Sequence, residues 1–261
     1  MKYTVLLLLL STFCSSQKIS FIYDVSYKVR SQESTKPISE KMVLDIENSN
    51  SIFRQSIDKK TDSLAQINKN GLLNMGVENQ FYVKKNVSDN YVIKLITYLK
   101  NDYTLPITEI LNWKILSDQK LIGKYKCQNA EVNYGGRKWT AWFSTELRFS
   151  DGPYIFHGLP GLIISIEDEK KDYSFNLEEI KKLGELFDVR SKTKNIDWEQ
   201  YEKLAKSYYN DPMDLNSSLG KYFSLTDTNG GKMDLNQFIK TRQIDIKAND
   251  NPIELNHKIS Y

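Results

Sequence analysis

The chain offers few residues for chemistry. It has two histidines, His157 and His257, and two cysteines, Cys14 and Cys127. Zinc sites commonly draw three or four His, Cys and carboxylate ligands from motif-like spacings. Here the histidines are a hundred residues apart with no such spacing, so neither a metal nor a cofactor is expected. Cys127 as a nucleophile would need an adjacent base and an electropositive setting. His157 is the base within the Gly/Pro-rich stretch that follows, and contact between the two would point to thiol or metal chemistry. The plainer readings are a half-buried strand cysteine and a turn or edge histidine. No Gly-x-Ser-x-Gly elbow, phosphate loop or dinucleotide fingerprint is present. Carboxylates are plentiful, but no stretch isolates the pair a glycosidase uses. Asp227-Thr228-Asn229-Gly230-Gly231-Lys232 opens like a calcium loop. It lacks the acid at position five, the Gly at six and the Glu at twelve, and reads as a plain loop.

The elements that would position these residues are mostly strands. Ile19, Phe21, Tyr23, Val25, Tyr27 and Val29 alternate strictly over Lys18 to Arg30, and Met42, Leu44 and Ile46 repeat the pattern. Ile52 to Gln55 suggests a third strand, and 59–71 reads as polar and irregular. Gln80 to Lys84 and Tyr91 to Leu99 read as a hairpin about the polar turn 86–90. Pro106 closes that region, and Trp113-Lys114-Ile115 opens a further strand. Gly135-Gly136 between Tyr125–Tyr134 and Arg137–Ser144 signals a two-residue hairpin. In that register Tyr134 faces Arg137, Val132 faces Trp139, Ala130 faces Ala141 and Gln128 faces Phe143. The opposite face pairs Asn129 with Trp142 and Cys127 with Ser144. Trp142 on that polar face needs a covering layer or lines a cleft, which makes it a binding candidate beside Cys127 and His157. Downstream, Tyr173, Phe175 and Leu177 alternate. Asn195 to Tyr209 reads as a helix capped by Asp197 with Gln200 three residues on, and Pro212 lies beyond its end. Ile244-Asp245-Ile246 and Ile253-Glu254-Leu255 read as late strands.

Ser150 to Glu167 is the organising stretch, with three Gly and two Pro. In Leu159-Pro160-Gly161-Leu162, Pro and Gly suit the two central positions of a type II turn, Gly161 taking the positive φ. Leu162, Ile164 and Ile166 then alternate as a strand. Gly158-Leu159-Pro160-Gly161-Leu162-Ile163 reproduces the motif of the GLPGLI family, exported Bacteroidetes-type proteins of unknown function, and the chain resembles that family more widely. Gly123 to Ala130 is similar to its Gly-Tyr-x-Cys-x-x-Ala block, with Lys124 inserted before the Tyr. Thr140-Ala141-Trp142-Phe143 is similar to its Thr-x-Trp-Phe block, Asp151-Gly152-Pro153-Tyr154-x-Phe156 to its run-in, and Asn251 to Leu255 to its ending. The resemblance implies an exported protein and no established activity. Asp62-Ser63-Leu64 also resembles an O-glycosylation site of such exported proteins, a three-residue match that chance explains.

Residues 1–16 read as a signal peptide: Lys2, then a short apolar core from Val5 to Leu10 with Phe13, then small residues before Gln17. A lipidated Cys14 is the less favoured alternative, because Phe13 stands where a lipobox has Gly or Ala. Residues 17–261 are then one domain, large enough for a substantial core without disulfides, and with Cys127 as its one cysteine. It keeps 35 basic residues (36 less Lys2) against 33 acidic ones, so nothing supports nucleic-acid binding, and no run is long enough to span a bilayer.

The expected fold is mainly β: an antiparallel, curved open sheet or half-barrel with a minor helical part in the C-terminal third. The expected role is that of an exported protein, in the periplasm or at the cell surface, that binds a hydrophobic ligand, a peptide or an envelope protein without transforming it. An envelope hydrolase, or a metal- or thiol-dependent enzyme using Cys127 and His157, is the second hypothesis. A structural assembly factor with an uncovered edge strand is the third.

Overall fold

The strict alternation at the start of the chain becomes a ten-residue strand, β1 (Lys18–Tyr27), whose Phe21, Tyr23, Val25 and Tyr27 are all buried. The structure is a computed structural model that describes residues 18–68, 76–99, 101–186, 188–190, 192–213 and 234–261. The signal peptide, Cys14 and the 227–232 loop lie outside these residues. β1 is followed by β2 (Ile38–Glu47), β3 (Asn50–Gln55), α1 (Ser56–Asn68), β4 (Tyr82–Asn86), β5 (Tyr91–Tyr98), β6 (Asn101–Pro106) and β7 (Lys114–Ile122). Then come β8 (Tyr125–Tyr134), β9 (Arg137–Ser144), β10 (Leu162–Asp168), β11 (Tyr173–Lys182), β12 (Thr193–Asn195), α2 (Trp198–Asn210) and α3 (Leu235–Ala248).

The strands form one twelve-stranded open sheet in the order β12-β6-β5-β4-β3-β2-β1-β11-β10-β9-β8-β7. Every pairing is antiparallel except β12 with β6. The fold is therefore mainly β, with α2 and α3 in its C-terminal part. No helix among the described residues is long and apolar enough to cross a membrane.

The Gly-Gly hairpin forms in the register its side chains dictate, from Tyr134↔Arg137 to Gln128↔Phe143. Gly135 and Gly136 take φ of 62° and 75°, the positive pair that matches the twist of the flanking strands. α2 starts where its capping box places it: Asp197 accepts from the Gln200 N–H at 2.8 Å, and the Gln200 side chain accepts in return.

Four readings are corrected. The polar segment beyond Gln55 is not irregular but forms helix α1 (Ser56–Asn68). It docks through buried Thr61 and Asp62 rather than an apolar stripe, so hydrophobic periodicity cannot reveal it. Ile244-Asp245-Ile246 belongs to α3, capped by Asp234; Ile246 is buried and Ile244 is 68% exposed, one helical face and its opposite. Among the described residues Ile253-Glu254-Leu255 pairs with no strand, and it runs into a short 3-10 turn at Leu255–His257. Gly161 has no positive φ. Glycine is needed there for another reason: an added Cβ would sit 2.2 Å from the Ser144 carbonyl oxygen, where two backbones meet at the start of β10.

The sheet curls strongly. β5 and β8 are eight strands apart, which in a flat sheet is about 38 Å. Yet Lys94 of β5 and Tyr134 of β8 both bind the carboxylate of Glu254, at 2.8 and 2.9 Å. The curled face holds the main core, with residues of β1 to β5 and β8 to β11 packed around the segment 154–159. Phe156 is its hub, its ring against Trp113, Tyr134, Trp139, Tyr154 and Phe175. A second cluster joins α2 and α3 to β5 and β6 through Tyr208, Ala205, Ile246, Ile96 and Leu105. At one edge β7, among the described residues, pairs only with β8 and is largely exposed. A register shift between Ile115 and Gln119, with Lys114 and Lys120 beside it, guards that edge against chance strand pairing.

Candidate functional site

Cys127 and His157 are not brought into contact. The Cys127 thiol is buried, lies 3.5 Å from the Tyr125 carbonyl oxygen, and has its pKa raised chiefly by burial, the setting of an inert cysteine. His157 is held in place by both ring nitrogens: Nδ1 is 2.8 Å from the Ile155 carbonyl oxygen and Nε2 is 3.0 Å from the Asn90 side-chain amide. Burial, reinforced by Lys85, lowers its pKa against the pull of the Ile155 carbonyl and Asp151. Among the described residues no three His, Cys, Asp or Glu side chains group as metal ligands would. Trp142 is half-buried against the core, and its open face is capped by the Lys120 ammonium of β7, 4.0 Å from the ring centroid. The motif residues Leu159, Leu162 and Ile163 are buried in the core, and the Ile163 carbonyl accepts from Tyr23 Oη at 2.7 Å. Gly158, Pro160 and Gly161 shape the path into β10.

The buried polar groups lie elsewhere. Glu254 is the centre of one constellation. Its Oε1 accepts from Tyr134 and Tyr154, at 2.9 and 2.5 Å, and its Oε2 from Lys94 at 2.8 Å. Burial and the Glu254 charge hold both phenols far above their usual pKa, so they remain donors. Beside the pair lies a cavity of about 80 Å³ walled by Lys94, Glu254, Phe81, Trp198, Tyr201 and His257. The His257 ring stacks on Trp198 at 3.8 Å, and burial lowers its pKa. A neighbouring knot is built on Arg137, which donates to Asp168, Asn251 and the Ile253 and Pro252 carbonyls at 2.7 to 3.0 Å. The segment from Asn251 to Glu254 thus ties opposite ends of the curled sheet together.

The other face of the sheet carries a third network. Arg54, fully buried, donates to Asp62 and Tyr82 at 2.9 Å and to Asp45 at 3.1 Å. Arg190 adds contacts to Asp62 and Asp58 at 2.9 and 2.8 Å, which seats α1 on the sheet. Asp62, read in sequence as part of a modification motif, is consumed by these bonds. Between α1 and the sheet lies an open groove of about 620 Å³, walled by Ile22, Val43 and Leu183 and rimmed by Lys59, Lys181 and Lys182. The groove is open to solvent rather than enclosed. Sequence reasoning missed Lys94, Glu254, Arg54 and the groove. The available signal was the strand alternation itself, which puts Arg54, Lys85 and Lys94 at positions where solvated lysines and arginines have no reason to be.

No family model matches the chain, and no curated protein does. Two crystal structures of PNGF-II, in the P21 and C2 space groups, are similar over 73% of this chain, with TM-scores of 0.55 and 0.54 and identities of 14% and 15%. The match spans 33% of each PNGF-II chain. At that identity the likeness concerns the fold alone.

Proposed function

We propose that this chain is an exported bacterial envelope protein of the GLPGLI family that binds a ligand without transforming it. The observation that carries this reading is the open groove of about 620 Å³ between α1 and the sheet. The polar constellation on the other face is spent on structure. Both oxygens of Glu254 are occupied by tyrosine and lysine donors of the chain itself, which removes it as a free base, and the same bonds fasten the curled sheet. The aromatic side chains of the curled face pack on one another and on the segment 154–159, so that face works as core, and binding falls to the groove. The test is native mass spectrometry of the full chain purified from its own envelope without detergent. A stoichiometric small molecule, lost when Gly184 at the groove is replaced by Trp, is the expected result. A bare protein from every preparation would remove the binding role.

A further inference from the structure

We infer that Lys85 and Asp151 join in an intramolecular amide bond, a covalent tie between β4 and the segment that leads into the motif. The two side chains meet below the surface, 0% and 4% exposed, with Lys85 Nζ 2.5 Å from Asp151 Oδ1. Nζ also donates to the Gly152 carbonyl oxygen at 2.6 Å and lies 3.5 Å from that of Phe156. The second carboxylate oxygen sets this pair apart. The other buried carboxylates, Asp45, Asp62, Asp168 and Glu254, each have donors on both oxygens. Asp151 Oδ2 is buried and, among the described residues, has no hydrogen-bond partner. A buried polar oxygen without a donor is costly, and the cost disappears if that oxygen leaves. Both residues are held in place. Asp151 forms a β-bridge with His157, and its carbonyl accepts from the Ile163 N–H at 3.1 Å. Lys85 sits between β3 and β5, opposite Ser51 and Val92. Fixed proximity of this kind turns a slow bimolecular condensation into an intramolecular step. Burial lowers the Lys85 pKa against the pull of Asp151, which favours the neutral, nucleophilic amine.

The bond forms by loss of water. One proton passes from Nζ to Oδ2, and the neutral amine attacks Cγ. Negative charge develops on Oδ1, to which the Gly152 N–H donates at 2.7 Å, the role of an oxyanion donor. The Cγ–Oδ2 bond then breaks, and Oδ2 leaves as water with a second proton from the nitrogen. Oδ1 stays as the amide oxygen, and one hydrogen stays on the nitrogen. An ammonium and a carboxylate thus become an uncharged amide and water, and no oxidant or cofactor is consumed. Cys127 is the one cysteine within 17–261, so the amide is a cross-link that this part of the chain cannot obtain from an internal disulfide.

The test is tryptic peptide mapping of the full, folded chain by mass spectrometry, with its intact mass measured after unfolding. Trypsin does not cut after an acylated lysine, so the expected product is one branched peptide in which 85–94 is joined to 149–170, at the sum of the two masses less one water. Lys85→Arg keeps a cation beside Asp151 but cannot form the amide, and should return 149–170 unlinked at its full mass. Asp151→Asn should give the same branched peptide as the native chain, with ammonia leaving in place of water, a result that a plain ion pair does not produce. Separate, full-mass peptides from the native chain would overturn the proposal and leave Lys85 and Asp151 as a buried ion pair. A water loss confined to 149–170 that persists in Lys85→Arg would also overturn it, in favour of a cyclic imide at Asp151-Gly152. The native chain alone decides between bond and ion pair, so the test stands even if a variant fails to fold.

Discussion

At the scale of single residues, the ion pair between Lys94 and Glu254 decides the most. Both side chains are at most 10% exposed, so each depends on the other. Removing one partner of a buried pair leaves an uncompensated charge, whereas replacing both with apolar groups costs far less. Lys94→Met and Glu254→Gln should therefore each destabilise the protein by about 3–5 kcal/mol, and the double variant Lys94→Met/Glu254→Leu by less than either. Urea unfolding followed by tyrosine and tryptophan fluorescence checks this; additive losses would mean the two groups act independently. In sequence Glu254 stood out only as the middle of an apparent late strand, Ile253-Glu254-Leu255, and as part of the resembling Asn251–Leu255 ending. Its burial was not legible, because its three donors come from Lys94, Tyr134 and Tyr154, far away in the chain.

At the scale of elements, the motif strand β10 depends on the approach of two backbones at Gly161. The sequence marks that glycine clearly but suggests the wrong cause, a positive φ, since a Pro-Gly dipeptide in a turn ordinarily needs one. The cause is space. A methyl group there would collide with the Ser144 carbonyl carbon and oxygen at 2.5 and 2.2 Å, atoms that cannot rotate away. Gly161→Ala should cost about 3 kcal/mol or more, the upper end of overpacking, while Gly184→Ala should be nearly silent. Thermal unfolding of the two variants separates them, and equal melting temperatures would refute the steric account. The same scale explains α1. Its sheet-facing positions carry Thr61 and Asp62, which meet Arg54 and Arg190, so the helical period is written in polar residues that a hydrophobic pattern does not register.

At the scale of the whole molecule, the curl of the sheet is held by the last segment of the chain. Asn251 accepts from Arg137 and donates to the Lys28 carbonyl, its own carbonyl accepts from Tyr173, and Glu254 joins β5 to β8. Deleting residues 249–261 removes those partners together and leaves the buried charges of Lys94 and Arg137 without them. The truncated chain should lose its near-ultraviolet circular dichroism and cooperative unfolding while keeping much of its strand signal. A truncated chain that unfolds in one sharp transition near the full-length midpoint would show that the sheet holds its curl unaided.

Local information sufficed for much of this molecule. Strict alternation in β1, β2 and β11, the Gly-Gly hairpin with its register and the capping box of α2 all depend on neighbours within a few residues, and each was legible. The sequence also determined that Cys127 has no cysteine partner within 17–261 and that the chain is β-rich. Only the tertiary structure decided what the inward lysines and arginines do, where Cys127 and His157 sit relative to each other, and that the aromatic face is filled. Those outcomes come from the curl that brings β5 and β8 to one carboxylate and from the docking of α1 over β1 to β4. Both are long-range arrangements, and a single sequence carries no local signal for which distant strands will meet.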